Sequence, residues 1–122
     1  MKNILIIDDE EMIREGLKAA LEIEGYNVTT ADNGMEISVI TESFQPHLII
    51  TDIIMPEMDG IEVIIQIRKK LPDTRIIAIS GGGRISADNH LKIAEKLGAD
   101  AVLTKPFSTN ELKNTINSLK NN

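Results

Sequence analysis

The sequence predicts one α/β domain over residues 1–122, in which a five-stranded parallel sheet is covered by helices on both faces. Short apolar runs alternate five times with longer segments of helical periodicity, as in successive βα units. Four of the runs are rich in Ile, Val or Leu without strict alternation, which is typical of strands buried on both faces. Such units imply right-handed crossovers and a doubly wound, three-layer arrangement. The length of 122 residues is that of one domain.

Five segments are predicted as strands: residues 4–7, 27–30, 48–51, 75–79 and 101–104. The second, NVTTA, is more polar than the others, so we expect it at an edge of the sheet.

Five segments with apolar residues at helical spacing are predicted as helices: residues 13–21, 34–44, 61–71, 87–97 and 112–119. Glycine or proline follows the first four, at Gly25, Pro46, Pro72 and Gly98. Ser108 or Thr109 is the expected cap of the fifth.

Composition excludes several classes of function. The net charge of −6 argues against direct binding of nucleic acid, because phosphate contacts need clustered Lys and Arg. The absence of cysteine excludes disulfides and Cys-based metal sites. No apolar run approaches the length of a membrane span, and MKNILIIDDE is no signal peptide. We therefore expect a cytoplasmic protein that contacts neither membrane nor nucleic acid.

Polar residues cluster at the carboxyl ends of the predicted strands. Doubly wound sheets bind ligands in a crevice beyond those ends. The first strand is followed by DDE, the third ends in the Asp of LIITDIIMPEMDG, the fourth precedes a serine and three glycines, and the fifth precedes KPF. The candidate site residues are therefore Asp8, Asp9, Asp52, Ser80 and Lys105.

These residue types together suit phosphoryl transfer. Neighbouring carboxylates repel one another, and a hard divalent cation such as Mg²⁺ relieves the repulsion. Asp52 would be costly to bury unpaired within its apolar stretch, and a carboxylate can act as a nucleophile that becomes an acyl phosphate. The ammonium of Lys105 and the hydroxyl of Ser80 can contact other phosphoryl oxygens.

Four motifs, ILIIDDE, DIIMPEMDG, IIAIS and GADAVLTKPF, occur in an order and spacing that extend over nearly the whole chain. In these motifs the chain resembles the receiver domain of two-component response regulators. The resemblance implies a flavodoxin-like fold with strand order 2-1-3-4-5 and a phosphoacceptor switch rather than an enzyme, which only assists its own phosphorylation and slow dephosphorylation.

The resemblance also implies roles at the metal and phosphate sites. Asp52 would be the phosphoacceptor, Asp9 a direct Mg²⁺ ligand and Asp8 a ligand largely through water, with Mn²⁺ as an alternative ion. The main-chain carbonyl of Ile54 would complete the metal shell, together with Asp52. Ser80 would be the switch hydroxyl.

Lys105 would be the lysine that contacts phosphate, and its peptide bond to Pro106 is expected to be cis, as in the family. The expected phosphoryl donor is a phosphohistidine on a sensor histidine kinase or a phosphotransfer protein. We expect a stand-alone receiver that acts on a protein target, through the face of its fourth helix, fifth strand and fifth helix, or relays phosphate.

Three positions depart from the family pattern. Val102 stands where the family often has an aromatic residue that changes rotamer, so switching is expected to run through the loop after Ser80 and the fourth helix. Ile54 and Gly82 occupy the positions that tune the lifetime of the phosphoryl group. Neither side chain can hold an attacking water, which predicts slow self-dephosphorylation.

Two alternatives stay open, an Asp-nucleophile phosphatase of the haloacid dehalogenase type and a receiver that is never phosphorylated. The first usually needs a second acid where Ile54 stands, and the intact acids and Lys105 speak against the second. A flavin binder would want aromatic residues, of which the chain has three, and no GxxxxGK[ST] motif for a nucleotide occurs.

Overall fold

The structure, a computed structural model, describes residues 2–33, 37–53, 60–80, 92, 96 and 98–120. The elements in these ranges follow in chain order: β1 (Asn3–Ile7), α1 (Glu11–Ile23), β2 (Asn27–Ala31), α2 (Ile37–Ser43), β3 (Leu48–Asp52), α3 (Gly60–Lys70), β4 (Arg75–Ser80), β5 (Ala101–Thr104) and α4 (Thr109–Lys120). Among the residues described, none of the helices has the length and apolarity that a membrane-spanning helix needs.

All strand pairs are parallel, and the strand order is β2-β1-β3-β4-β5. The predicted fold class and strand order are confirmed, with β2 at an edge. Four of the five predicted helices have described ranges. The helix labelled α4 corresponds to the fifth predicted helix. The predicted fourth helix, residues 87–97, lies outside the described residues apart from Lys92 and Lys96, which are helical and exposed.

The core consists of two apolar layers, one on each face of the sheet. β1 and β3 are buried along their whole length or nearly so, which explains why their sequences show no alternation. On one face Leu5, Ile7 and Ile49 belong to a layer that α2 and α3 cover. On the other face Ile4 and Ile6 belong to a layer that α1 and α4 cover. The described helices thus lie over the two faces of the sheet.

Local chemistry sets the helix ends. The Ser108 hydroxyl accepts a hydrogen bond from the Glu111 N–H at 3.0 Å, and the Glu111 carboxylate accepts one from the Ser108 N–H at 3.3 Å. This reciprocal pair is a capping box, so Ser108 rather than Thr109 caps α4. Gly25 ends α1 with a φ of +95°, a conformation that favours glycine.

Arg68, near the end of α3, ties three segments together at the amino-terminal edge of the sheet. Its guanidinium donates hydrogen bonds to the carbonyl oxygens of Gly98, at 2.6 and 3.0 Å, and of Thr74, at 2.6 Å. It also forms a 2.7 Å ion pair with Asp100, whose carboxylate accepts the Ile76 N–H at 2.8 Å. These contacts fix the start of β5 relative to α3 and β4, and thereby the far end of β5.

Candidate functional site

The sheet brings four of the predicted site residues to one edge. Asp8 follows β1, Asp52 and Ser80 end β3 and β4, and Lys105 follows β5. Backbone hydrogen bonds continue the ladder past the strands: Asp8 N–H donates to Ala31 at 3.1 Å, and Lys105 N–H donates to Ser80 at 2.8 Å. The side chains therefore start from backbone positions that the sheet itself fixes.

The ammonium of Lys105 lies among three carboxylates. Its Nζ is 3.0 Å from Asp52 Oδ2, 3.3 Å from Asp8 Oδ2 and 3.1 Å from Glu10 Oε1. An ammonium has three N–H donors, so these three oxygens can take all of them. Lys105 is thus the positive centre of an otherwise acidic site.

The acids differ in their surroundings. Asp8 and Asp52 are buried, whereas Asp9 and Glu10 are exposed. Asp8 is fixed on both sides, because its Oδ1 accepts the Glu10 N–H at 2.9 Å and its carbonyl oxygen accepts a hydrogen bond from the Arg14 guanidinium at 2.9 Å. Two acids are therefore buried in the protein, and two stand at its surface.

The environment shifts the pKa values of two of these groups. Burial raises the pKa of the Asp8 carboxyl above its ordinary value, and the charge of Asp52 acts in the same direction; the hydrogen bond from Glu10 N–H and the charge of Lys105 oppose the rise without cancelling it. Burial alone would lower the pKa of the Lys105 amine, but the hydrogen bond to Asp52 and the charges of Asp52 and Asp8 raise it. Lys105 is therefore charged at neutral pH.

The acidic cluster fits a divalent cation. Carboxylate oxygens of Asp8, Asp9, Glu10 and Asp52 all lie within 4.8 Å of one another. The ammonium of Lys105 contacts three of these four carboxylates, so the cluster carries more negative than positive charge. Oxygen ligands from carboxylates are those that Mg²⁺ prefers.

The remaining predicted residues are distributed as follows. Ser80 is fully buried at the end of β4, and Val102 is half-buried in β5, where it packs against the apolar layer beneath α2 and α3. The peptide bond between Lys105 and Pro106 is cis, the isomer that the resemblance implied. Two predicted positions lie outside the described residues: Ile54 and Gly82.

Sequence reasoning assigned no role to Glu10 or Arg14, although both contact the site. Glu10 stands third in DDE, so its charge was visible. An acid directly before a helix can lie in solvent or bond the helix amides. Only the structure shows that Glu10 makes no such bond and contacts Lys105 instead. No feature of the sequence indicated that Arg14, one turn further along α1, would contact the site.

Comparisons of sequence agree on one family. The sequence profile described as response regulator receiver domain matches residues 4–117. The probable transcriptional regulator ycf27 of Cyanophora paradoxa is 40% identical over 118 residues, which cover 97% of this chain and 48% of that protein. The chain thus spans about half the length of the curated relatives it matches.

Comparisons of structure give the same result. The chemotaxis response regulator CheY4 of Vibrio cholerae superposes with a TM-score of 0.85 at 28% identity, over 97% of this chain and 98% of that one. A beryllofluoride-activated NtrC4 receiver domain dimer gives a TM-score of 0.84 at 39% identity, over 97% and 95% of the two chains.

Proposed function

The chain belongs to the response regulator receiver domain family, and from this premise we propose that Asp52 accepts a phosphoryl group from a phosphohistidine donor and that the domain thereby switches state. The observation that carries the proposal is the position of Asp52 in the sheet and the charges around it. Its buried carboxylate ends a central strand, with an ammonium 3.0 Å away and further acids beside it.

The chemistry needs a nucleophile and charge neutralisation rather than an acid–base pair. A carboxylate oxygen of Asp52 forms the new bond to phosphorus, and the phosphorus–nitrogen bond of the donor breaks. The imidazole leaves with the bonding electron pair and takes up a proton from solvent. The Lys105 ammonium pairs with a phosphoryl oxygen, and this pairing offsets the charge on the transferred group.

Asp8, Asp9 and Asp52 are the residues that would hold Mg²⁺, with the main-chain carbonyl of Ile54 as the further ligand that the family implies. Bound Mg²⁺ would neutralise charge on the phosphoryl oxygens. The support for this assignment is the cluster of carboxylate oxygens within 4.8 Å of one another.

Switching would start at Ser80, whose hydroxyl contacts the phosphoryl group after transfer. Ser80 ends β4, the strand next to the one that carries Asp52, and its carbonyl oxygen accepts the Lys105 N–H. Because Val102 has no ring that could change rotamer, the response would pass into the loop after β4 and the predicted fourth helix.

The donor would be a sensor histidine kinase or a phosphotransfer protein. The output would be a protein contact at the face formed by the predicted fourth helix, β5 and α4, or onward transfer of phosphate. The ycf27 relative carries the name of a probable transcriptional regulator and CheY4 that of a chemotaxis response regulator, so outputs differ within the family.

Neither alternative gains support. A phosphatase of the haloacid dehalogenase type would need an acid two residues after Asp52, where the sequence has Ile54. A receiver that is never phosphorylated would not need the three-way contact of Lys105 with Asp8, Glu10 and Asp52.

Labelling with acetyl phosphate and Mg²⁺ tests the assignment of Asp52. Wild type and Asp32→Asn, which removes an exposed acid just after β2 at the same edge, should gain one phosphoryl group by intact mass. Asp52→Asn should gain none, because an amide is a poor nucleophile. Equal labelling of Asp52→Asn and wild type would remove Asp52 from its proposed role.

A further inference from the structure

Glu10 occupies an unusual position for a residue at the start of a helix. It is the N-cap of α1, yet its carboxylate makes no hydrogen bond to the helix amides. The carboxylate lies 3.1 Å from Lys105 Nζ instead. Glutamate is not among the residues that usually cap a helix, so the observation that points to a role in the site is the contact itself, with a lysine 95 positions further along the chain.

Lys105 has no donor to spare while all three acids contact it. Three N–H groups face Asp8, Asp52 and Glu10, and a phosphoryl oxygen would need one of them. One of the three contacts must therefore be given up when a phosphoryl group arrives.

Burial decides which contact is given up. The side chains of Asp8 and Asp52 are 1% and 5% exposed, whereas that of Glu10 is 59% exposed. If Asp8 lost its cation, its buried carboxylate would keep an uncompensated charge away from water, which is strongly unfavourable, and Asp52, as the bearer of the phosphoryl group, remains beside the ammonium. The carboxylate of Glu10 is already largely hydrated, so its contact with Lys105 is the weakest of the three.

We propose that Glu10 is an internal competitor for Lys105, which it contacts in the unphosphorylated protein and gives up to the phosphoryl group on Asp52. The inference rests on the proposed function of Asp52 as the acceptor. Glu10 is a positioning residue. It holds the Lys105 ammonium in place before phosphorylation, and the strength of this contact affects how tightly the ammonium then binds the phosphoryl group.

The start of α1 offers the released carboxylate a second cation. Arg14 lies four residues after Glu10, and its N–H donates to the Glu10 carbonyl oxygen at 3.0 Å, so the two residues span one helical turn. An acid four residues before a base is the favourable order for a pair on a helix. The Arg14 guanidinium already lies at the site, 2.9 Å from the carbonyl oxygen of Asp8.

Binding of beryllofluoride, an anion that mimics the phosphoryl group, tests the proposal in the full chain. Calorimetric titration at saturating Mg²⁺ compares wild type with Glu10→Gln and with Glu11→Gln, which removes an equal charge from the next residue. We expect Glu10→Gln to bind beryllofluoride about two- to five-fold more tightly, the factor that an exposed ion pair is worth when it no longer has to be broken. Glu11→Gln should bind as wild type does.

Glu10→Asp separates contact from charge. It keeps the negative charge but shortens the side chain by one methylene, so it should also bind the anion more tightly than wild type. A separate Mg²⁺ titration of each variant is the control for metal affinity. We expect that the order of the Mg²⁺ affinities does not follow the order of the beryllofluoride affinities. A purely structural role for Glu10 would lower stability without raising affinity for the anion.

Beryllofluoride binding to Glu10→Gln that is equal to or weaker than that of wild type would overturn the proposal, as would an equal gain in Glu11→Gln. Failure of the proposed function looks different: Asp52→Asn would then bind beryllofluoride as tightly as wild type, whatever the result at Glu10.

Discussion

Replacing Lys105 by methionine tests whether the site is one coupled group of charges. The change keeps an unbranched apolar side chain close to the length of the lysine stem but removes the ammonium from three acids. At an effective dielectric constant of about 20, two unit charges 3.0 Å apart attract by about 5 kcal/mol. Desolvation of the 15% exposed lysine and relaxation of the acids offset part of this attraction. Removal of one partner of a buried pair costs roughly 3–5 kcal/mol, so we expect a loss near the lower end of that range.

The loss should depend on pH with a definite sign. The Lys105 charge lowers the pKa of Asp8, so that pKa should be higher in the variant than in wild type. A carboxyl whose folded pKa is raised binds more protons in the folded state, and the free energy of unfolding then falls as pH rises above the ordinary value of 3.8. The difference between variant and wild type should therefore be largest at neutral pH and shrink as pH falls toward 3.8.

Urea unfolding followed by circular dichroism, in buffer with a metal chelator, measures this free energy. Lys113→Met is the matched control, because Lys113 pairs with Glu24 at the surface, where both side chains are more than a third exposed. The control should lose less than about 1 kcal/mol. If Lys105→Met loses no more than the control, or loses the same amount at every pH, the idea of a coupled site is wrong.

Three further predictions concern Asp8, Gly98 and Ile54. Asp8→Asn should raise the free energy of unfolding of the metal-free protein at neutral pH, because the raised pKa means that ionised Asp8 is unfavourable, and the gain should vanish near pH 3.8. Mg²⁺ at neutral pH should stabilise wild type more than the variant. A loss of stability in metal-free Asp8→Asn would contradict this. Gly98→Ala should cost about 1–3 kcal/mol in urea unfolding, because φ is +119° and a Cβ would lie 2.9 Å from Arg68 Nε, whereas Gly16→Ala, with open space around it in α1, should stabilise slightly. Equal effects at the two glycines would refute the argument. Phosphorylated wild type should lose its phosphoryl group slowly in Mg²⁺ buffer. Ile54→Asn should lose it faster, because the asparagine side chain can hold an attacking water. Intact mass measures the decay, and rapid loss from wild type would contradict the prediction.

The sequence predicted the ends of the strands well because it marks them chemically. Ile-rich runs that stop at Asp8, Asp52, Ser80 and Lys105 leave no other place for those polar groups than the edge of the sheet. The five strand positions and the strand order were confirmed, although the order came from the resemblance and not from composition.

Contacts between distant segments were beyond the sequence. Nothing in QPHLII indicates that His47 Nδ1 accepts the backbone N–H groups of Lys2 and Asn3, at 3.2 and 3.0 Å. Likewise the sequence predicted that Gly98 ends a helix but not that the Arg68 guanidinium lies against it. Such contacts depend on how the crossovers pack, and no local pattern encodes that packing.

Sequence by itself therefore determined which residues stand at the functional edge, since periodicity and burial are local properties that each strand carries in its own residues. Tertiary structure alone decided that the Lys105 ammonium meets Asp8, Asp52 and Glu10 at once, across as many as 97 positions of chain. It also decided that Glu10 contacts the lysine rather than its own helix. The physical reason is that charge interactions fall with distance in space, and only the packed sheet sets that distance.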